Sequence, residues 1–369
     1  MRRVSGFAAA CFGAALVASA AATPASAQST QKLTFQSAFP PTGLIAENGQ
    51  WFADRVKTLS GGRLEIEILP SGALVPAFEV LDAVHQGVID GGHTAAAYWL
   101  GKHRAATLFG PAPGGPFGMD MIDYLGWLHD GGGLDLYREF YQNELQRNVV
   151  PVPLTSVANQ VLGWFKTPVA SWEDLSGRKC RQTGVTAEVF GRSGMSPTNI
   201  PGGEVIPAAQ RGVIDCAEWV GPAEDMKVGF QTVWKHYYVP SAHEPATVLE
   251  LLINGDVWNA LAPDLQGLIQ AAASEATLRS QVVTNRLNAA ALTELREQHG
   301  VEIHRTPDDI LKHTLESWDQ IAEEEAGKSA FFKKVLDSQR EYASQVVPAR
   351  RFVQLPSEFG ANHYWPETR

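Results

Sequence analysis

Lys32-Leu33-Thr34-Phe35-Gln36-Ser37 alternates along its length and reads as a strand ending at Pro40-Pro41. Glu47 to Leu59 then has helical spacing, with Trp51, Phe52, Val56 and Leu59 on one face, and Gly61-Gly62 stops it. Leu64-Glu65-Ile66-Glu67-Ile68-Leu69 is again a period-two strand. A second helix, Ala77 to Gln86, places Phe78, Leu81 and Val84 on one face and leaves Glu79 and Asp82 to solvent. Gly87 and a short strand over Val88 to Gly91 follow. Strand, helix, strand, helix, strand in this rhythm predicts parallel βαβ units.

The glycine- and proline-rich stretch Gly110 to Gly118 reads as a loop, followed by helices from Met121 and through Leu134 to Glu144. Val149 to Leu154 opens a second α/β series: Gln160 to Phe165, Lys179 to Gln182, helices over Ala187 to Arg192 and around Glu204 to Arg211, and a strand Val213 to Ala217. Pro263 to Ser344 is mostly helical in pattern, without an internal repeat at a fixed period or a low-complexity tract. Two α/β series joined in the middle put a crevice between lobes, and ligands of such sheets sit beyond the carboxyl ends of the strands.

The first residues predict export. Arg2 and Arg3 precede the uncharged run Phe7 to Ala22, and Ala25-Ser26-Ala27 gives a small-x-small cleavage pattern before Gln28. That run is shorter than the roughly 20 apolar residues of a membrane span, and charges interrupt every later stretch of such length. Cys11 lies too early in the apolar run, and without a preceding Leu, to be read as a lipid anchor. Losing Arg2 and Arg3 makes the formal charge of −10 two units more negative. Such a surface repels phosphate backbones and argues against nucleic-acid binding. At 44% apolar and 19% charged residues the chain is ordinarily globular, and its length predicts two domains. Cys180 and Cys216 would remain after cleavage, either as one bridge or as two buried thiols.

Polar groups gather at strand ends of the second series. Gln160 follows the Val149 to Leu154 strand after a short loop; Arg181 closes Lys179 to Gln182; Glu218-Trp219 closes Val213 to Ala217; Glu244 lies in the connector Tyr237 to Pro245. A guanidinium matches both oxygens of a carboxylate and keeps its charge, so Arg181 suits a carboxylate ligand. The alternative is an arginine paired with a neighbouring acid. Glu218, Glu244 and a ligand carboxylate against one guanidinium leave two negative charges unbalanced, which a cation would relieve. Its ligands would be the Gln160 amide, the two glutamates and a backbone carbonyl such as that of Trp219, an all-oxygen set that suits Na⁺ or Ca²⁺ rather than zinc. Otherwise the glutamates are plain surface groups or lysine partners. Tyr98, Trp99, Trp164, Trp219, Tyr237 and Tyr238 are candidates to wall a pocket, although at least half of them should be core.

Several stretches resemble the substrate-binding proteins of tripartite ATP-independent periplasmic (TRAP) transporters. They are Ser60-Gly61-Gly62-Arg63, Leu69-Pro70-Ser71-Gly72, Asp82-Ala83-Val84-His85-Gln86-Gly87-Val88-Ile89-Asp90, Leu175-Ser176-Gly177-Arg178-Lys179-Cys180-Arg181 and Ala208-Ala209-Gln210-Arg211-Gly212-Val213-Ile214-Asp215. His93-Thr94 with Tyr98, Gly131-Gly132-Gly133-Leu134-Asp135-Leu136-Tyr137 and Glu218-Trp219-Val220-Gly221-Pro222 are most similar to the branch that binds 2-oxo and 2-hydroxy monocarboxylates. The resemblance implies a two-lobed α/β periplasmic binding protein fold with a ligand cleft between lobes and a helical C-terminal region. Its divisions would be a signal peptide over 1–27, lobe I over 28–150 and about 239–275, lobe II over 151–238 and about 276–345, and a tail over 346–369. It implies that Arg181 binds the substrate carboxylate, with Gln160, Tyr98 and Trp219 also at the substrate. It further implies that Gln160, Glu218, the Trp219 carbonyl and Glu244 hold Na⁺ or Ca²⁺, with no organic cofactor, and that the partner is a TRAP membrane permease.

Two departures bear on this. Ser241-Ala242-His243 stands where relatives often have aromatic residues. Pro348, Pro356 and Pro366 keep the tail from being one continuous helix, which puts a homodimer built on an exchanged terminal helix in question. The rival class is a secreted hydrolase or metal-dependent lyase. The chain has no Gly-x-Ser-x-Gly elbow, and His243-Glu244 lacks a second histidine four residues on. Ala326-Gly327-Lys328-Ser329 resembles a phosphate loop, but Ala322 stands where the glycine is needed. A sensor-type binding protein for another organic acid is a further reading.

Overall fold

The computed structural model describes residues 30–110 and 112–366, so the expected leader and Cys11 lie outside the described residues. Among the described residues eleven strands are formed: β1 (Gln31–Ser37), β2 (Leu64–Leu69), β3 (Gly91–Thr94), β4 (Val149–Val157), β5 (Gly163–Phe165), β6 (Lys179–Arg181), β7 (Ser196–Thr198), β8 (Cys216–Ala217), β9 (His236–Val239), β10 (Thr247–Asn254) and β11 (Glu302–Arg305). They build one sheet in the order β2-β1-β3-β10-β4 and another in the order β11-β9-β5-β8-β6-β7. β1 runs parallel to β2 and β3, as the βαβ rhythm requires. β10 returns from far along the chain and inserts antiparallel between β3 and β4.

The helix Leu44–Leu59 buries Phe52, Ala53 and Val56 against the first sheet. Removing a side chain such as Phe52 from water contributes about 1.5–3 kcal/mol. The same core takes in Leu33, Phe35, Leu64, Leu251 and Ile253 together with Ile269, Ala272 and Ala276 of the long helix Pro263–Glu297. A second core, around Val161, Trp164, Val205, Ile214, Phe230, Trp234 and Tyr237, fills the other lobe. Helices Asp308–Lys328 and Ala330–Val353 close the far side, with Trp318, Phe331, Phe332 and Val335 buried against Trp127, Phe140 and Phe190.

Three segments pass between the sheets: residues 158–162, residues 240–246 and the 35-residue helix Pro263–Glu297. The two short connectors are tied to each other. Gln160 N donates to Glu244 O at 3.1 Å, and Ser241 N donates to Gln160 O at 3.1 Å. The helix is pinned at its middle, where Ser156 N donates to Ser280 Oγ at 3.0 Å and Ser156 Oγ donates to Thr277 O at 2.7 Å.

Several expected boundaries move, for identifiable reasons. The strand expected over Val88 to Gly91 forms over Gly91–Thr94, and the one expected over Val213 to Ala217 shrinks to Cys216–Ala217. In both places the preceding helix ends in the same reversal. Val88 N donates to Ala83 O at 2.9 Å, and Val213 N donates to Ala208 O at 3.0 Å. Gly87 and Gly212 each take a φ of +70° to make this turn. The reversal uses the residues that alternation assigns to the strand. Each ends on an aspartate that reaches a neighbouring strand: Asp90 Oδ2 accepts from Thr34 N at 2.7 Å, Asp215 Oδ2 from Lys179 N at 3.4 Å.

Elsewhere, the helix expected from Glu47 begins at Leu44, and β4 runs on to Val157 because β10 pairs along its full length. Gly163–Phe165 alone pairs in the segment Gln160 to Phe165. The segment Leu134 to Glu144 is an α-helix over Gly133–Glu139 that widens into a π-helical turn over Phe140–Glu144. In the tail, exposed Pro348 is accommodated inside Ala330–Val353; the helix stops there, and a separate short helix covers Ser357–Tyr364.

Candidate functional site

Arg181 is the last residue of β6, paired with Ala217 of β8 and Thr198 of β7, so it emerges at the carboxyl ends of parallel strands. Its side chain is 2% exposed. Nε donates to Ile200 O at 3.3 Å and Nη1 to Glu218 O at 3.2 Å, while Nη1 also forms an ion pair with the Glu218 carboxylate. The guanidinium carbon lies 5.1 Å from the centre of the Trp219 ring. The two readings of this arginine therefore meet. It is paired with a neighbouring acid, and that acid belongs to the same cavity.

Gln160 and Glu244 sit on the two tied connectors, and the Gln160 amide nitrogen donates to the Glu244 carboxylate. Thr247 Oγ1 reaches the same carboxylate at 3.4 Å. The Gln160 amide oxygen is buried without a hydrogen-bond partner. Among the described residues the Trp219 carbonyl accepts no backbone hydrogen bond. Burial pushes Glu218 up to about 7, against the opposing effect of Arg181. Glu244 is raised well above the usual carboxylate range, first by burial and then by repulsion from Glu218. Two buried acids in one cavity, with an unpartnered amide oxygen and a free carbonyl, form an oxygen donor set short of positive charge. That set fits a hard cation.

Tyr98 reaches the cavity from the first lobe, and burial pushes its hydroxyl up to about 12, so it stays protonated and able to donate. Phe39, Ile45, Tyr98 and Leu249 face Arg181, Thr183, Glu218 and Trp219 across the cavity, with Gln160 and Glu244 between. The free space inside is only about 40 Å³, a few water-sized spheres, which suits a ligand of only a few non-hydrogen atoms.

All six residues proposed from the sequence, Tyr98, Gln160, Arg181, Glu218, Trp219 and Glu244, thus line one cavity. The remaining aromatic candidates do not. Trp99 donates to Glu250 at 3.0 Å inside the first lobe; Trp164 and Tyr237 stack at 4.1 Å and both bind Asp225; the Tyr238 hydroxyl accepts from Val169 N at 2.8 Å. His243, the departure noted beside Glu244, is buried against Phe190, with Nδ1 2.6 Å from Ser241 Oγ. Burial lowers its imidazole to about 3, which keeps it neutral.

Residues that sequence reasoning missed hold the site in shape. Asp225 Oδ1 accepts from Val220 N at 3.0 Å and Gly221 N at 2.9 Å, and Oδ2 from Trp164 Nε1 at 2.9 Å and Tyr237 hydroxyl at 3.0 Å. This fixes the loop that carries Glu218 and the Trp219 carbonyl. Glu224 crosses between lobes to accept the Leu44 N–H that starts the helix Leu44–Leu59. A helix N-terminus in one lobe and a carboxylate in the other make an attractive closing contact. The helical stretch Pro222–Val228 gave no sign of either task, because both depend on what lies opposite in space. The disulfide left open by the sequence is formed: Cys180 and Cys216 are joined, with Cα atoms 4.5 Å apart.

The fold has close counterparts. A periplasmic protein of Nostoc sp., described as monocarboxylate 2-oxoacid-binding, is 36% identical over 306 residues, which cover 83% of this chain and 82% of the relative. A TRAP periplasmic solute-binding protein from Colwellia psychrerythraea, solved with calcium and pyruvate, superposes with a TM-score of 0.82 at 30% identity, covering 91% of this chain and 100% of that one. One from Pseudoalteromonas atlantica T6c, solved with sodium and pyruvate, gives a TM-score of 0.82 at 29% identity, covering 92% and 100%. Residues 36–328 match the family model described as bacterial extracellular solute-binding protein, family 7. The two-lobed architecture and the sequence match agree, and the chain belongs to this DctP family of extracellular solute-binding proteins.

Proposed function

We propose that this chain is a periplasmic receptor that captures a 2-oxo or 2-hydroxy monocarboxylate of the size of pyruvate or lactate. It would do so together with Na⁺ or Ca²⁺ and hand the acid, chemically unchanged, to a TRAP permease. The observation that carries this reading is the convergence of Arg181, Gln160, Glu218, Glu244, Trp219 and Tyr98 on one small buried cavity between the lobes. The ligands of the relatives just described support the same class of acid.

The chain's own groups divide the work. Arg181 turns its fork to the ligand carboxylate and gives up part of its pairing with Glu218. Tyr98 donates from the opposite lobe, so a bound acid touches both lobes and favours the closed arrangement over the open one. Gln160, Glu218, Glu244 and the Trp219 carbonyl would hold the ion, whose charge offsets the excess of carboxylates. Phe39, Ile45 and Leu249 exclude water and limit the ligand's length. The exposed aromatic and aliphatic residues Phe352, Leu355, Phe359, Tyr364 and Trp365 of the tail support self-association of two copies.

Isothermal titration with pyruvate and lactate tests the reading, before and after chelation and in sodium-free buffer. Binding that disappears without the ion and returns with it is the expected outcome. Binding indifferent to both ions removes the ion from the site. Conversion of the added acid during incubation replaces the receptor reading with an enzymatic one.

A further inference from the structure

We propose a second metal site, for a first-row transition ion such as Zn²⁺, on the outer edge of the second sheet, formed by His236, Glu302 and His304. Glu302 and His304 are alternate residues of β11 and therefore share one face of it. The register sets Glu302 opposite His236 of β9, and His304 opposite Tyr238. Three donor atoms converge there. His236 Nδ1 lies 3.2 Å from His304 Nε2 and 3.3 Å from Glu302 Oε2, and His304 Nε2 lies 3.7 Å from Glu302 Oε2.

These distances favour a shared ion. A triangle with those edges has its centre about 2.0 Å from each corner, the length of a Zn–N or Zn–O bond. An ion slightly above the plane would meet all three donors at bonding distance and keep outward positions for water. The donor set, two imidazoles and one carboxylate, is that of zinc and its neighbours, unlike the all-oxygen cavity between the lobes. The surroundings hold the donors in place. Tyr238 stacks on the His304 ring with centroids 4.6 Å apart. Lys235, just before β9, has its ammonium bound by the Gln231 and His299 carbonyls at 2.8 and 2.9 Å. Glu302 is exposed and both imidazoles are partly covered, so an ion has access from solvent. Occupancy would tie β11, an edge strand, to β9.

Titrating Zn²⁺ into untagged, chelator-treated full-length protein tests the site. One equivalent should bind, with affinity at least about tenfold weaker in His304→Ala and in Glu302→Gln. Circular dichroism checks that each variant is folded, and Glu302→Gln, at an exposed position, serves if a histidine variant is not. Co²⁺ in place of Zn²⁺ should give the visible absorption of a low-coordinate nitrogen–oxygen site in the wild type and lose it in His304→Ala. Glu244→Gln, in the interlobe cavity, should leave Zn²⁺ uptake unchanged. Absence of Zn²⁺ uptake by the wild type, uptake unaffected by both edge variants, or its loss in Glu244→Gln would each overturn the proposal.

Discussion

Cys180 and Cys216 stand directly opposite each other where β6 and β8 run parallel, bridged at a Cα separation of 4.5 Å. The next residue of β6 is Arg181, and two residues beyond Cys216 is Glu218. The bridge therefore joins the two strands immediately below the cavity's charged pair and fixes their relative register. Closing a loop of 36 residues contributes about 4 kcal/mol in the chain-entropy view. The Cys180→Ser, Cys216→Ser double variant should unfold at clearly lower denaturant concentration. Ligand affinity, measured by calorimetry under native conditions, should also fall, because Arg181 and Glu218 lose their common base.

Arg181→Met should lower affinity for the carboxylate by roughly two to four decades, since it removes the partner of a buried charge. Arg181→Lys keeps the charge but not the planar fork, and should recover only part of the loss. A pyruvate titration of the two variants side by side checks both statements. Unchanged affinity in Arg181→Met would detach this residue from ligand binding.

Gly43 precedes the helix Leu44–Leu59 with φ +119°, and a Cβ there would stand 2.5 Å from Glu224 Oε1. Gly43→Ala should therefore obstruct the interlobe contact while leaving each lobe folded. Ligand affinity should drop by about tenfold, and small-angle scattering should show a more open molecule with the ligand added. Glu224→Ala removes the carboxylate from the helix start and should weaken closure by about 0.5–2 kcal/mol.

Glu250 is buried among Trp99, Tyr137 and Tyr141, which all donate to it, yet burial still pushes it up to about 7 from an ordinary 4.5. The folded state then holds a proton that the unfolded chain releases between these values. Stability from this group is consequently present at the acidic end and declines as pH rises from about 4.5 to about 7. Glu218, Glu224 and Asp225 are shifted the same way, so the difference from a Glu250→Gln variant isolates its share. Urea midpoints of both proteins across pH 4.5–8 should converge on the acidic side and separate on the neutral side.

The alternation of Lys32 to Ser37 and Leu64 to Leu69 was sufficient for β1 and β2, because each strand has one well-covered face and a helix directly between. β10 was not legible. Nothing in Thr247 to Asn254 tells that it returns to lie between β3 and β4, and all eight of its residues are buried, which erases the period of two. The helix ends at Gly87 and Gly212 were legible as breaks but not as five-residue reversals. In the candidate site, Arg181, Glu218, Gln160 and Glu244 could be proposed because strand ends and uncompensated charge are visible along a chain. Asp225 could not, since its four bonds are to groups brought to it only by folding. The unpaired oxygen of Gln160 is likewise a property of the folded cavity and not of the residue.

The two connectors that carry Gln160 and Glu244 are zipped to each other, and the continuous helix Pro263–Glu297 is the third segment that passes between the sheets. A swing of the lobes would turn about these crossings. Points on an axle stay put while the rim travels: Tyr98 and Arg181 would move apart, whereas Gln160 and Glu244 would keep their spacing. On the reading proposed above, the half of the cleft built on the pivot would persist in an open molecule, and the half built on the rim would have to be assembled anew at each closing.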